Sequence, residues 1–206
     1  MSLENKRKGD KMKLNLCIDI DGTITEDFYW LDLANKYFGK NIQPIQIKEY
    51  DIDKVMGITK TQYLDFYNEH SHDIHLNAKP REFSDLVLWH LSNQHNVSYV
   101  TARDPRLEDI TNQWFLLNGI PTNDLHMLGS HYKVKKAEEL NCHIFIEDRY
   151  ENALEIALAG FQVLLMDTSY NRLPLIPSIT RVYNWLEIYE EVSLYHSRQL
   201  QNIIVA

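Results

Sequence analysis

Two cysteines, Cys17 and Cys142, stand in a chain of 206 residues. They are too few for a disulfide framework, so the fold must be held by its core. We read them as buried apolar thiols in a reducing, cytoplasmic setting. No apolar run approaches the length that spans a bilayer, and neither an internal repeat nor a low-complexity segment occurs. Residues 1–11, MSLENKRKGDK, are polar and basic and lack the apolar stretch of a secretory signal. Residues 1–12 are expected to be a flexible tail, with Met12 a candidate natural start. Positive charge is also short: 21 Lys and Arg face 29 Asp and Glu, a net charge of −8. No basic stripe interleaved with aromatics appears, which argues against a stable nucleic-acid partner. A small phosphorylated anion is still admissible, because a metal and local cations can recruit it against the global charge.

What the chain does have is 44% hydrophobic residues against 24% charged, the balance of a globular protein with one large domain or a core plus a small insertion. Short apolar runs recur at Leu14 to Ile20, Val97 to Val100, Leu125 to Leu128, Ile144 to Ile146 and Gln162 to Met166, each of strand length. Helical patterns separate them. Arg81 to Leu91 places Phe83, Leu86, Val87 and His90 at spacings of three and four, predicting one apolar face. Asp104 to Asn118 opens on an Asp cap and Pro105 and stops at Gly119. Shorter candidates run from Tyr132 to Leu140 and from Glu151 to Leu158. Tyr183 to Leu194 predicts an amphipathic helix that packs back on the core. Strands alternating with helices predict an α/β fold, a parallel sheet with helices on both faces. Ligands of such sheets sit at the carboxyl ends of the strands.

Between the first strand and the helix at Arg81 lie roughly sixty residues, too many for a simple crossover. They carry helical patterns at Trp30 to Phe38 and Thr61 to Glu69. We therefore expect residues 26–78 to be a small helical cap inserted into a core of residues 13–25 and 79–206. His70, His72 and His75 suggest zinc, but no Cys or acidic partner has ligand spacing. They are read as a polar loop.

The chemistry concentrates at predicted strand ends. Asp19-Ile-Asp21-Gly22-Thr23 follows the first strand, and alternation puts both carboxylates on one side. Carboxylates that close repel, and an oxygen-rich site of this kind suits Mg²⁺. A solvated acidic turn is the plainer reading. A calcium loop fails on spacing, since its sixth and twelfth positions would be Ile24 and Trp30 rather than Gly and Glu. Thr101 ends the second strand, Lys133 follows the third beside Lys135 and Lys136, and Glu147-Asp148 ends the fourth. Each alone has an ordinary structural explanation. Their order, each at a strand end, is the signal.

That set resembles the four motifs of the haloacid dehalogenase superfamily, from about Lys13 to Thr180. The strings Tyr99-Val-Thr-Ala-Arg103 and Phe145-Ile-Glu-Asp-Arg149 further resemble its 5′(3′)-deoxyribonucleotidase-like branch. The resemblance implies a Rossmann-like core and a phosphomonoester hydrolase acting through an aspartyl-phosphate. Asp19 would be the nucleophile and Asp21 the acid and base. Asp19, the Asp21 carbonyl and Asp148 would hold Mg²⁺, with Glu147 acting through a water. Thr101 and Lys133 would hold phosphoryl oxygens. Lys133 is preferred over its two neighbours because it stands closest to the strand end. The fourth motif reads Glu-Asp where many relatives have Asp-Asp. The expected substrate is a small phosphorylated metabolite, a nucleoside monophosphate foremost. Phe28 and Trp30, with Tyr29 between them, are candidates to stack on its base, and Arg103 to meet a phosphate or a sugar hydroxyl. Alternatives within the superfamily are a sugar-phosphate phosphatase or a phosphomutase. A receiver-like signalling module also joins acids, Thr, Lys and Mg²⁺, but its phosphorylated Asp lies in mid-chain, whereas Asp19 closes the first strand.

Overall fold

A computed structural model describes residues 12–205; residues 1–11 of the tail expected at 1–12 lie outside them. Strands β1 (Asn15–Ile18), β2 (Asn96–Thr101), β3 (Asp124–Met127), β4 (Ile144–Glu147), β5 (Gln162–Met166) and β6 (Ile179–Val182) form one sheet in the order β3-β2-β1-β4-β5-β6. Every pairing is parallel. The order reverses direction at β1, so β1, β2 and β4 share the central crevice where α/β sheets bind ligands.

Alternation along the strands divides the core. Leu16, Ile18, Ile144, Ile146, Leu164 and Met166 face one layer, while Cys17, Phe145, Val163 and Leu165 face the other. On the first face pack α4 (Ser84–Gln94), α5 (Glu108–Leu117) and α8 (Trp185–Val205); on the second, α6 (Val134–Glu139) and α7 (Tyr150–Leu158). Trp185, Ile188 and Val192 of α8 are fully buried, and the Trp185 indole N–H donates to the Thr23 carbonyl at 3.1 Å. The last helix thus braces the loop that follows β1. Both cysteines are buried and unbridged. Among the described residues no helix is long and apolar enough to cross a membrane.

A small helical cap follows β1: α1 (Leu31–Phe38), α2 (Ile52–Met56) and α3 (Lys60–Leu76). It has its own core of Trp30, Leu31, Ala34, Ile47, Met56, Phe66 and Ile74. The chain enters and leaves it side by side, with the Glu26 N–H donating to the Lys79 carbonyl at 2.8 Å and the Arg81 N–H to the Ile24 carbonyl at 2.7 Å.

Two expectations need correction, and one strand carried no sequence signal. The buried face of α4 is Ser84, Val87, Leu88 and Leu91, whereas Phe83, Leu86 and His90 are exposed. Phe83 takes a left-handed conformation (φ 63°) just before the helix, which begins at Ser84 rather than Arg81, so Phe83 lies outside it. His70, His72 and His75 lie within α3, not in a loop. The strand β6 carries polar Thr180 and Arg181 between its apolar ends and forms a sheet edge; no apolar run announced it.

Candidate active site

Asp19 directly follows β1, and its N–H donates to the Ile146 carbonyl of β4 at 2.9 Å. That bond aims the carboxylate at the neighbouring strand end. Lys133, at the N-terminus of α6, donates to Asp19 Oδ1 at 2.5 Å and to Glu147 Oε2 at 2.8 Å. It is 2% exposed. Lys135 and Lys136 instead pair with Glu139 on the surface. The other Glu147 oxygen accepts from the Asn152 side chain at 2.8 Å and the Arg149 N–H at 3.3 Å.

Asp19, Glu147 and Asp148 each bring a carboxylate oxygen within 4.8 Å of the others. The electrostatics show how crowded that is. Burial pushes Asp19 up to about 7 against the pull of Lys133, with Glu147 adding to the rise. Asp148 is held well above the usual carboxylate range by burial, Glu147 and Asp19. For Lys133 burial opposes the charge, but Asp19 and Glu147 outweigh it and raise its pKa. Gly22 (φ 78°) makes the crowding possible, because a Cβ there would lie 2.8 Å from the Asp148 carboxyl carbon.

Asp21 points elsewhere. Its carboxylate is not part of the three-residue group; it accepts from Arg103 Nε at 2.9 Å, Arg103 Nη2 at 2.6 Å and the Tyr29 hydroxyl at 2.8 Å. Burial opposes its ionisation, yet Arg103 and then His75 hold it well below the usual range. Arg103 is itself fixed, its Nη1 donating to Thr111 Oγ1 at 3.0 Å. Thr101 is 1% exposed at the end of β2, and its hydroxyl oxygen accepts the Arg103 N–H at 3.2 Å.

A cavity of about 530 Å³ opens between core and cap, reaching Asp21, Gly22 and Asp148. Its walls include Phe28, Tyr29, Tyr50, Tyr63, Tyr67 and Tyr170. Trp30 also borders it but is 9% exposed and belongs to the cap core. Phe28 meets Trp30 and Tyr170 edge to face, at 6.4 and 5.9 Å between centroids.

Several participants carried no usable sequence signal. His75 is buried, with Nδ1 3.6 Å from Asp21 Oδ1 and Nε2 2.9 Å from the Tyr67 hydroxyl. Arg81 donates to the Gly22 carbonyl at 2.8 Å from the far side of the cap. Asn152, on α7, lies five residues beyond Glu147 at the end of β4, so no periodicity within one element links them. Tyr170 and Asn171 come from a loop after β5.

A parallel sheet with a cap inserted after β1 and acidic residues at its central strand ends is the architecture of the haloacid dehalogenase superfamily. A haloacid dehalogenase-like family hydrolase from Streptococcus pneumoniae has this fold at a TM-score of 0.66 and 14% identity, covering 87% of this chain and 98% of that one. Another from Xanthomonas campestris matches at 0.61 and 10% identity, covering 91% and 98%. Residues 13–200 match the family described as "5′ nucleotidase, deoxy (Pyrimidine), cytosolic type C protein". A nucleotidase of Clostridium acetobutylicum is 45% identical over 177 residues, 86% of this chain and 92% of the relative. The chain belongs to this nucleotidase family of the haloacid dehalogenase superfamily, and is a phosphoric monoester hydrolase.

Proposed function

We propose that the chain is a Mg²⁺-dependent, cytoplasmic hydrolase of nucleoside monophosphates, working through an aspartyl-phosphate on Asp19, with residues 26–78 as the substrate-selecting cap. The observation that carries this reading is the single ammonium of Lys133 shared between Asp19 and Glu147, beside Asp148 and below an aromatic-walled cavity. A cavity of this size suits one compact ester and excludes macromolecules.

The residues present fit a magnesium ion. Three buried carboxylates lie together with one lysine bonded to two of them, and burial and their mutual repulsion hold Asp19 and Asp148 above their ordinary pKa. All offer the hard oxygen donors Mg²⁺ prefers. Asp19, Asp148 and the Asp21 carbonyl would hold it. Both oxygens of Glu147 already accept hydrogen bonds, which supports its indirect role. When bound, the ion would neutralise this charge and polarise the phosphoryl oxygens.

The chain's own groups divide the remaining work. Asp19 attacks phosphorus in line, and the ester bond to the leaving oxygen breaks as the Asp19–phosphorus bond forms. Asp21 gives a proton to that oxygen and later takes one from the attacking water. Held ionised by Arg103 as it now is, Asp21 is set for the second role; the first requires that grip to loosen when substrate enters. The Thr101 hydroxyl proton and Lys133 hold the phosphoryl oxygens. Phe28 offers a ring face to a base.

A screen of nucleoside monophosphates and sugar phosphates, with and without Mg²⁺, tests the reading. Mg²⁺-dependent release of phosphate from nucleotides is expected. Preference for sugar phosphates would defeat the nucleotide assignment, and turnover undiminished by chelator would defeat the metal.

A further inference from the structure

The loop after β5 meets the metal group and the cap at once. Tyr170 donates its hydroxyl to Asp148 Oδ2. The same ring packs edge to face on Phe28 at 5.9 Å and on Tyr50 at 5.5 Å, both from the cap segment. Its neighbour Ser169 donates to the carbonyl of Ile47, a buried residue of the cap core, at 2.7 Å. Asn171, fully buried, donates to the Asp148 carbonyl at 2.6 Å and the Met166 carbonyl at 2.7 Å. Its own oxygen accepts from Arg181 at 2.6 Å and from the Thr168 N–H at 3.2 Å. The loop is therefore pinned to the ends of β4, β5 and β6. At Gly22 a Cβ would come within 2.9 Å of the Tyr170 oxygen, so the phenol occupies space that only a glycine in the loop after β1 leaves open.

We infer that Tyr170 is a positioning residue for Asp148 that joins cap packing to the orientation of the metal carboxylate. Resting on the magnesium reading above, the inference adds a physical link. A carboxylate with one oxygen held by a fixed donor presents the other in one direction, and a partner of this kind is typically worth ten- to a hundredfold in metal affinity. Because the donor's ring is also part of the cap contact, whatever seats the ring seats the carboxylate. Binding at one end must then tighten the other by the same factor.

Tyr170→Phe keeps the ring against Phe28 and Tyr50 and removes only the hydroxyl. Calorimetric titration of the folded, substrate-free protein with MgCl₂ should show affinity reduced ten- to a hundredfold, at a melting temperature close to wild type. Hydrogen exchange of residues 28–50 should slow on adding Mg²⁺ in the wild type and respond less in the variant. A purely structural tyrosine would leave metal affinity untouched. Equal affinities in wild type and Tyr170→Phe would overturn the inference alone, as would cap exchange that ignores Mg²⁺ in the wild type. A wild type that binds no Mg²⁺ would overturn the magnesium reading beneath it.

Discussion

Lys133 Nζ lies 2.5 Å from Asp19 Oδ1 while also holding Glu147, so one buried ammonium is shared between the proposed nucleophile and its acidic neighbour. Lys133→Met would leave both carboxylates buried and unpaired, at a cost of about 3 to 5 kcal/mol in metal-free unfolding free energy. Turnover should fall about a hundred- to a thousandfold. Lys135→Met and Lys136→Met, whose partner Glu139 is solvent-facing, should change stability by about 1 kcal/mol or less and leave turnover near wild type. Urea unfolding and steady-state kinetics on the three variants check the contrast.

Arg103 and Asp21 form the second charged pair. Arg103→Met should destabilise by about 2 to 3 kcal/mol, because charge-assisted bonds to Asp21 are lost in a largely enclosed setting. If the cost lies in the stranded carboxylate, Asp21→Asn in the same chain should return part of it. A double-mutant cycle in urea would reveal a coupling of more than about 1 kcal/mol; independent effects would show that Arg103 acts through packing on Trp114 instead.

The strand-end chemistry was legible because it needs only local facts. Asp19, Thr101 and Glu147 each close an apolar run, and the parallel order brings those ends together. Lys133 could be preferred from position but not separated from its neighbours, since the distinction is burial rather than type. The partners of Asp21 were hidden for another reason. Arg103 stands 82 residues away and reaches Asp21 only because β2 pairs beside β1, and His75 reaches it only because the cap closes on the core. Arg103, expected to meet a phosphate or a sugar hydroxyl, has its guanidinium engaged by Asp21. The α4 face shows the limit of periodicity, where a left-handed Phe83 shifted the start of the helix.

Two histidines make the metal-free protein sensitive to acid. His95 is buried, and burial, then His196 and Lys13, lower its pKa to about 4; His131, through burial, Arg149 and Lys133, is lowered to about 4 as well. Both are neutral when folded, whereas in the unfolded chain a histidine takes up a proton near pH 6.5. Their contribution to stability is therefore complete above pH 6.5, declines as pH falls toward 4 and levels below that, while Asp19, raised to about 7, and Asp27, raised to about 6, contribute in the opposite sense as pH falls. Thermal melts across this range should show the wild type losing ground to His95→Asn as pH falls from 6.5 toward 4.

Phe28 and Trp30 should separate by experiment. Trp30, inside the cap core, should cost about 3 to 5 kcal/mol when cut to Ala and impair nucleotide and aryl phosphate alike. Phe28→Ala should raise KM for nucleotides by the equivalent of about 1 to 3 kcal/mol with little effect on an aryl phosphate. Equal losses on both substrates would assign Phe28 to cap packing.

The covalent step admits the most direct test. Wild-type protein mixed with Mg²⁺ and a nucleoside monophosphate labelled in its phosphate should, on rapid acid quenching, carry label in an acyl phosphate that hydroxylamine releases. Borohydride reduction and peptide mapping should place it at Asp19, and Asp19→Asn should carry none while melting as the wild type does. Label at another residue, or sustained turnover by a folded Asp19→Asn protein, would contradict the account.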